Sequence, residues 1–384
     1  MAASDFPGPS AAFSDAFPCE APVRLLVFAD QLGPSQWIAF VEGLARARDA
    51  GTAAVRLIEE AAFGSDHGLN GAAPARALAE AEIAEVRPTT VVLSRFGHVA
   101  GAEGVFAAAR AHGLPVALHI DDDLFDLPVV IGIERYRSGR HPRRIQALGA
   151  ALRRADMVIA ATQALAERLA PLAGHSRIGW LENGSGGRPQ PRRRKPDGAP
   201  VVIGYMGSAS HGPDLELALP ALHAVLRHRP EARVELFGSV ARLPVAEQLP
   251  AAVVRHAGVV GDYAAFRRRL LELDWDIGLA PLQASPYNLC KTATKWVEYA
   301  EAGAAVLASD IEVYRPMIAE GAAAPASPGQ WSDMLLKLVR EPGLRRGLVA
   351  AADGLLRERY GWDRLEDSLL GLLARAASRR QAAA

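Results

Sequence analysis

Short runs rich in Val, Ile and Leu alternate along this chain with longer Ala, Leu, Glu and Arg stretches of helical period. VRLLVFA, AAVRLIE, TTVVLS, PVALHI and MVIAAT, followed by a weaker RIGWLE, read as strands. Helices are expected between them over residues 37–50, 74–84, 104–112, 143–154 and 163–173. Strands apolar on both faces, alternating with helices, predict a parallel sheet clad on both sides. A second series opens at Val201, with VVIGYMGS, a helix over 214–228, ARVELFGS, a weaker AGVVG, a helix over 263–273, DIGLAPL, a short helix and AVLAS. Helical segments follow around 313–318, 330–340, 344–357 and 362–376. The pattern predicts an α/β chain of two Rossmann-like doubly wound domains.

The expected organisation is a disordered lead-in over 1–21, a first domain over 22–184, a linker over 185–200, a second domain over 201–360, and a terminal helix over 361–384 that packs back onto the first domain. The linker assignment rests on GSGGRPQPRRRKPDGAP, dense in Gly, Pro and Arg and without hydrophobic period; its basic run reads as solvated. With 384 residues, half of them apolar, each domain can bury its own core. Basic and acidic residues balance at 43 each, so no global field points to nucleic acid, and charge-based function must be local. Cys19 and Cys290 form neither a disulfide framework nor a metal spacing, which suits a cytoplasmic protein. The lead-in lacks the basic residues of a secretory signal, and no apolar run of about 18 residues occurs. Peripheral contact with the inner face of the membrane stays open.

In open parallel sheets ligands bind beyond the carboxyl ends of the strands. The residues there are Asp30 and Gln31, Glu59 and Glu60, Arg95, Asp121 to Asp123, Thr162 and Gln163, and Asn183 with Gly184. Three adjacent carboxylates at 121–123 repel one another unless they cap a helix, bind a cation or grip hydroxyls. His119, inside PVALHI, reads as a core histidine. In the second half, the turn from Gly204 to Asp214 places glycines between a strand and a helix, which suits a diphosphate or simply satisfies sterics. Residues 285–314 read as a loop, a short helix, a Gly turn, a buried strand and a second helix start. Lys291, Lys295, Glu298 and Ala302 recur at helical spacing on one side of that helix, with Trp296, Tyr299 and Ala300 on the other. Two like charges four apart make sense beneath an anion, with Glu298 gripping sugar or ribose hydroxyls; the alternative is a solvated face with a Lys295–Glu298 pair.

The segments I-G-Y-M-G-S-x-S-H-x-x-D-L at 203–215 and N-x-x-K-T-x-x-K-x-x-E-Y-x-x-x-G at 288–303 resemble the retaining glycosyltransferases of the GT-B fold, family 4 or a near relative. Weaker echoes are I-D-D-D-L-F at 120–125, A-D-M-V-I-A-A-T at 155–162 and R-Y-G-W-D at 359–363, so the resemblance runs from about residue 23 to 372. It implies two domains facing a cleft and sugar transfer from a nucleotide-diphosphate-sugar, with no metal and no further cofactor. The implied acceptor is a glycan, lipid-linked or protein-linked. Carried over, Gly207 and Ser208 approach the diphosphate, His211 is the nearest basic residue after the turn, and Lys295 is the leading cation. Glu298 grips the ribose hydroxyls, with Tyr299 beside it in the donor set. The family's first glutamate falls at Cys290, and a subgroup uses the positions of Asn288 and Lys291 instead; Asn288, Lys291 and Lys295 are therefore the catalytic candidates. Asp30, Gln31, Arg95, Asp121, Asp122 and Asp123 are the acceptor-side candidates. Competing readings are a nucleotide-sugar epimerase and a non-catalytic nucleotide-sugar-binding protein.

Overall fold

The computed structural model describes residues 21–64, 71–129, 141–182, 198–256 and 263–382. They form two units. The amino-terminal unit holds residues 21–182, 290–292 and 362–382, and the carboxy-terminal unit holds 198–289 and 293–361, apart from the undescribed stretches within these ranges. The expected lead-in over 1–21 lies almost wholly, and the linker over 185–200 largely, outside the described residues.

Six parallel strands build each sheet. In the amino-terminal unit they are β1 (Val23–Ala29), β2 (Ala53–Glu59), β3 (Thr90–Ser94), β4 (Val116–Ile120), β5 (Met157–Ala160) and β6 (Ile178–Trp180), in the order β2-β1-β3-β4-β5-β6. Helices on both faces leave the central strands without solvent contact: Leu25 to Ala29 and Val91 to Leu93 are fully buried. The helix Gln163–Ala173 shows how locally this is encoded: Thr162 Oγ1 accepts from the backbone N–H of Leu165 at its start, and Gly174 closes it in the left-handed conformation. The terminal helix Trp362–Ala382 packs in this unit, where buried Glu366 accepts from the Ala47 N–H at 3.0 Å.

The carboxy-terminal unit contains β7 (Val202–Met206), β8 (Arg233–Phe237), β9 (Val254–His256), β10 (Ile277–Ala280), β11 (Ala305–Ser309) and β12 (Ala324–Ala326), ordered β12-β11-β10-β7-β8-β9. Counted within this half from β9, the order is third, second, first, fourth, fifth, sixth, that of a dinucleotide-binding sheet. Two aromatic rings lie directly on it at glycines. A Cβ at Gly204 would sit 1.8 Å from the Trp275 ring, and one at Gly278 would sit 2.5 Å from the Tyr299 ring.

Two expected helices change, one strand was not expected, and one expected strand is not described. The helix over 37–50 is broken: a widened turn over Trp37–Glu42, with the Gly43 N–H bonded five residues back to Ile38 O, precedes a short helix Ala45–Asp49. The strand β12 is Ala-rich with a Pro, so it carries no β signal. AGVVG lies outside the described residues. The short helix of 285–303 is two pieces, Pro286–Leu289 and Thr294–Glu301, with residues 290–292 counted in the amino-terminal unit. Among the described residues no helix is long and apolar enough to cross a membrane.

Gly204→Ala is expected to destabilise the protein by about 1–3 kcal/mol through forced displacement of Trp275. Gly347→Ala, in the exposed middle of the helix Pro342–Arg359 with no atom within 4 Å, is expected to stabilise by roughly 0.5–1 kcal/mol. Urea denaturation of the two variants should give opposite signs.

Candidate functional site

Each sheet reverses its strand order once, between β1 and β3 in one unit and between β7 and β10 in the other. At these points the crossover helices diverge and leave a crevice beyond the strand ends. A polar network of each unit lies there.

In the carboxy-terminal unit, β7 runs into Gly207 and the exposed Ser208, then a single tight turn over Ala209–His211, then the long helix Gly212–His228. The Gly207 N–H is bonded to Phe237 O at 3.0 Å, and Gly207 O accepts from Val240. That glycine amide is therefore committed to the fold. His211 Nδ1 donates to Asp214 Oδ2 at 2.9 Å, and Asp214 Oδ1 accepts from the Gln283 N–H at 3.0 Å. Gln283 lies just past β10; its carbonyl accepts from Asn288 Nδ2 at 2.9 Å, and its own amide donates to Pro213 O at 2.7 Å. Buried Asp214 thus ties the loop after β7 to the loop after β10, on either side of the strand-order reversal.

On the helix Thr294–Glu301, Lys295 Nζ lies 5.7 Å from the centre of the Tyr205 ring, a cation–π distance. Glu298 is only 7% exposed, which excludes the solvated helix face. Tyr263 donates its hydroxyl to Glu298 Oε1 at 2.8 Å. Burial pushes the Glu298 carboxyl up to about 7, against the opposing pull of the Tyr263 hydroxyl and Lys295.

In the amino-terminal unit, Arg95 follows β3 in a left-handed backbone conformation, φ 53°. A non-glycine residue there is held by its surroundings. Its guanidinium reaches Asp30 at 3.2 Å, Asp121 at 2.6 Å and Asp122 at 3.4 Å. Burial works against the charge, but Asp121, Asp30 and Asp122 overcome it and hold Arg95 protonated well beyond its usual range. Arg144 donates to the Arg95 carbonyl at 2.9 Å and to Glu60 at 2.9 Å. Burial raises the Glu60 carboxyl, with Arg144 opposing. Lys291 Nζ lies 3.2 Å from Asp122 Oδ1, and Arg168 Nε 3.0 Å from buried Asp123. The three adjacent aspartates are relieved by arginine and lysine: Asp121 and Asp122 by Arg95, Asp122 by Lys291 and Asp123 by Arg168. Among the described residues no group of His, Cys, Asp and Glu side chains is arranged to hold a metal ion.

No family model matches the sequence, and no curated protein does. Solved structures do. Anabaena HepE, in complex with UDP and glucose, superposes with a TM-score of 0.64 at 15% identity, over 92% of this chain and 99% of that one. A glycosyltransferase from Rickettsia africae gives 0.62 at 12% identity, over 93% and 99%. A putative UDP-N-acetylglucosamine 2-epimerase from Listeria monocytogenes gives 0.54 at 12% identity, over 91% and 95%. The fold is GT-B.

Within this GT-B chain, Gly207, Ser208, His211, Asn288, Lys295 and Glu298 all belong to the carboxy-terminal unit, and Asp30, Gln31, Arg95 and Asp121 to Asp123 to the amino-terminal one. Gln31 is exposed, and its N–H bonds the Asp30 carboxylate. Two placements correct the expectation. Lys291 does not share a helix face with Lys295: it falls in the break between two helical pieces and pairs with Asp122, so the like-charge pair does not exist as drawn. Tyr299 is fully buried on Gly278, its hydroxyl accepting from the Met206 N–H at 2.9 Å, so it supports β7 from inside the core and does not face a ligand. Cys290 packs in the amino-terminal core, where burial and Asp123 push its thiol up to about 11, and it carries no charge at neutral pH. Likewise His119 is buried beside Ser94, its ring pulled down to about 4 by burial, and is neutral. Sequence reasoning missed Gln283, Asp214, Tyr263 and Arg144. The strand-end rule applied to DIGLAPL points to Gln283; Tyr263 has no comparable signal.

The buried Glu298 carboxyl sets a pH dependence. Its folded value of about 7 exceeds the usual 4.5, so the stability it contributes is complete below 4.5 and is lost as pH rises through 7. Wild type is expected to lose on the order of 3 kcal/mol across that window relative to Glu298→Gln, measured by chemical denaturation at pH 4.5, 6 and 8.

Proposed function

We propose that the protein is a glycosyltransferase that moves a sugar from a nucleotide-diphosphate-sugar to an acceptor, with the carboxy-terminal unit as the donor half. One observation carries the reading: at the strand-order reversal of a dinucleotide-type sheet, Asp214 binds the turn after β7 to the loop after β10, beside a cation at Lys295 and a buried carboxyl at Glu298. A diphosphate is met by Ser208, by the amino-terminal end of the helix Gly212–His228 and by Lys295; ribose hydroxyls are met by Glu298. UDP in the HepE complex favours a uridine nucleotide. The retaining outcome and a glycan, lipid-linked or protein-linked acceptor follow from the resemblance in the sequence. Charge on the leaving diphosphate is taken up by Lys295 and backbone dipoles, which makes the reaction metal-independent.

The second reading, a nucleotide-sugar epimerase, is favoured by the likeness to the Listeria protein. Consumption of donor without any acceptor, giving an epimeric nucleotide-sugar, would select it.

In a panel of nucleoside diphosphates and nucleotide-sugars screened by thermal shift, a bound ligand in large excess over its Kd is expected to stabilise the protein by a few kcal/mol. Lys295→Ala and Glu298→Ala should each weaken that binding by about 1.5–3 kcal/mol in calorimetry; undiminished affinity in both folded variants would sink the assignment. Transfer is expected to persist in EDTA. Its loss, with rescue by Mg²⁺, would contradict the metal-free reading.

A further inference from the structure

Tyr263 opens the helix Tyr263–Glu272 and is buried, its ring stacked 6.0 Å from Phe266. Phe266 stacks in turn on Phe237 at 5.1 Å, at the carboxyl end of β8. The hydroxyl that meets Glu298 is therefore aimed by a column of rings rooted in the sheet. Further along the same helix, Arg267 grips both oxygens of Glu301 at 2.9 Å, so the helices Tyr263–Glu272 and Thr294–Glu301 are pinned at two points. One pin is Glu298 itself. Among the described residues its Oε1 takes the Tyr263 hydroxyl and its Oε2 takes no hydrogen bond.

We propose that Tyr263 is a positioning residue for nucleotide recognition, fixing Oε1 of Glu298 so that Oε2 is left to accept from the ribose hydroxyls. The inference rests on the donor reading above and adds a residue and a pH linkage to it. A protonated carboxyl loses acceptor capacity, so binding draws on the ionised form. The groups facing Glu298 are Tyr263 and Arg267 from the neighbouring helix, Lys295, Tyr299 and Glu301 from its own, and Tyr314 from the segment after β11. Of these, Tyr263 acts on the carboxylate by direct hydrogen bonding, which favours the ionised form against burial.

The test is UDP binding by calorimetry at pH 6, 7 and 8.5 for wild type, Tyr263→Phe, Glu298→Gln and the double variant, with melting curves confirming folding. Glu298→Gln reports the titration of UDP itself. Relative to it, wild-type affinity is expected to fall about tenfold from pH 8.5 to 6, and Tyr263→Phe to fall at least about threefold further while approaching wild type at pH 8.5. In the Glu298→Gln background the Tyr263 substitution should have no effect. Repeating wild type and Glu298→Gln at pH 6.5 in buffers of different ionisation enthalpy should show more proton release on binding in the wild type than in the variant, a readout independent of the Tyr263 variant. A Tyr263→Phe profile parallel to wild type, an effect that persists without Glu298, or no excess of proton release in wild type over Glu298→Gln overturns the inference and leaves the donor reading standing. Absence of UDP binding by wild type at pH 8.5 overturns both.

Discussion

A parallel strand reaches its neighbour only through a crossover, and where a sheet begins to grow in the opposite direction the crossovers part. Each unit does this once, and the backbone groups and side chains beyond the two diverging strands lose the cover that helices give elsewhere. One polar network of each unit lies there: Asp30 and Arg95 beyond β1 and β3, Asp214 and Gln283 beyond β7 and β10. The buried strands on either side are a rigid support, because each is covered by helices and packed without solvent.

The two crevices manage buried charge differently. In the amino-terminal unit, carboxylates and cations neutralise one another within a single network, and Arg95 accepts an unfavourable backbone conformation to remain in it. A network of this kind is rigid, and removing any member leaves another charge uncompensated. In the carboxy-terminal unit, Glu298 faces a hydroxyl, with Lys295 near enough to act through space but not through an ion pair. Burial dominates there and carries the Glu298 carboxyl toward neutrality, and in the amino-terminal unit burial raises even Glu60, which has a full positive charge at Arg144 beside it.

Strand positions were legible because buried parallel strands are apolar throughout, and the glycine turn and the lysine–glutamate helix were legible because they are local. Features that depend on distant residues were not. Lys291 reads as part of a helix until Asp122, 169 positions away, is seen to hold it. The helical spacing sets Tyr299 opposite Glu298, but nothing in the sequence tells that its ring lies on Gly278 and its hydroxyl on the Met206 N–H. Asp214 carries no sign of its contact with Gln283, and β12 is invisible because Ala and Pro acquire strand geometry only from pairing with β11. Propensity describes what a segment prefers alone, and each of these is decided by a partner.

The three residues 290–292 also bear on how the protein is made. Cys290 belongs to the apolar core of the amino-terminal unit, Thr162 donates to its carbonyl at 2.8 Å, and the helix Trp362–Ala382 covers Gly179 with Leu372. All six strands of that unit have been synthesised by residue 180, yet its core is finished only once the helix Trp362–Ala382 has been made. The unit begun first is completed last. Until then its first sheet waits partly uncovered while the carboxy-terminal unit, whose segments are contiguous but for three residues, has all it needs to fold.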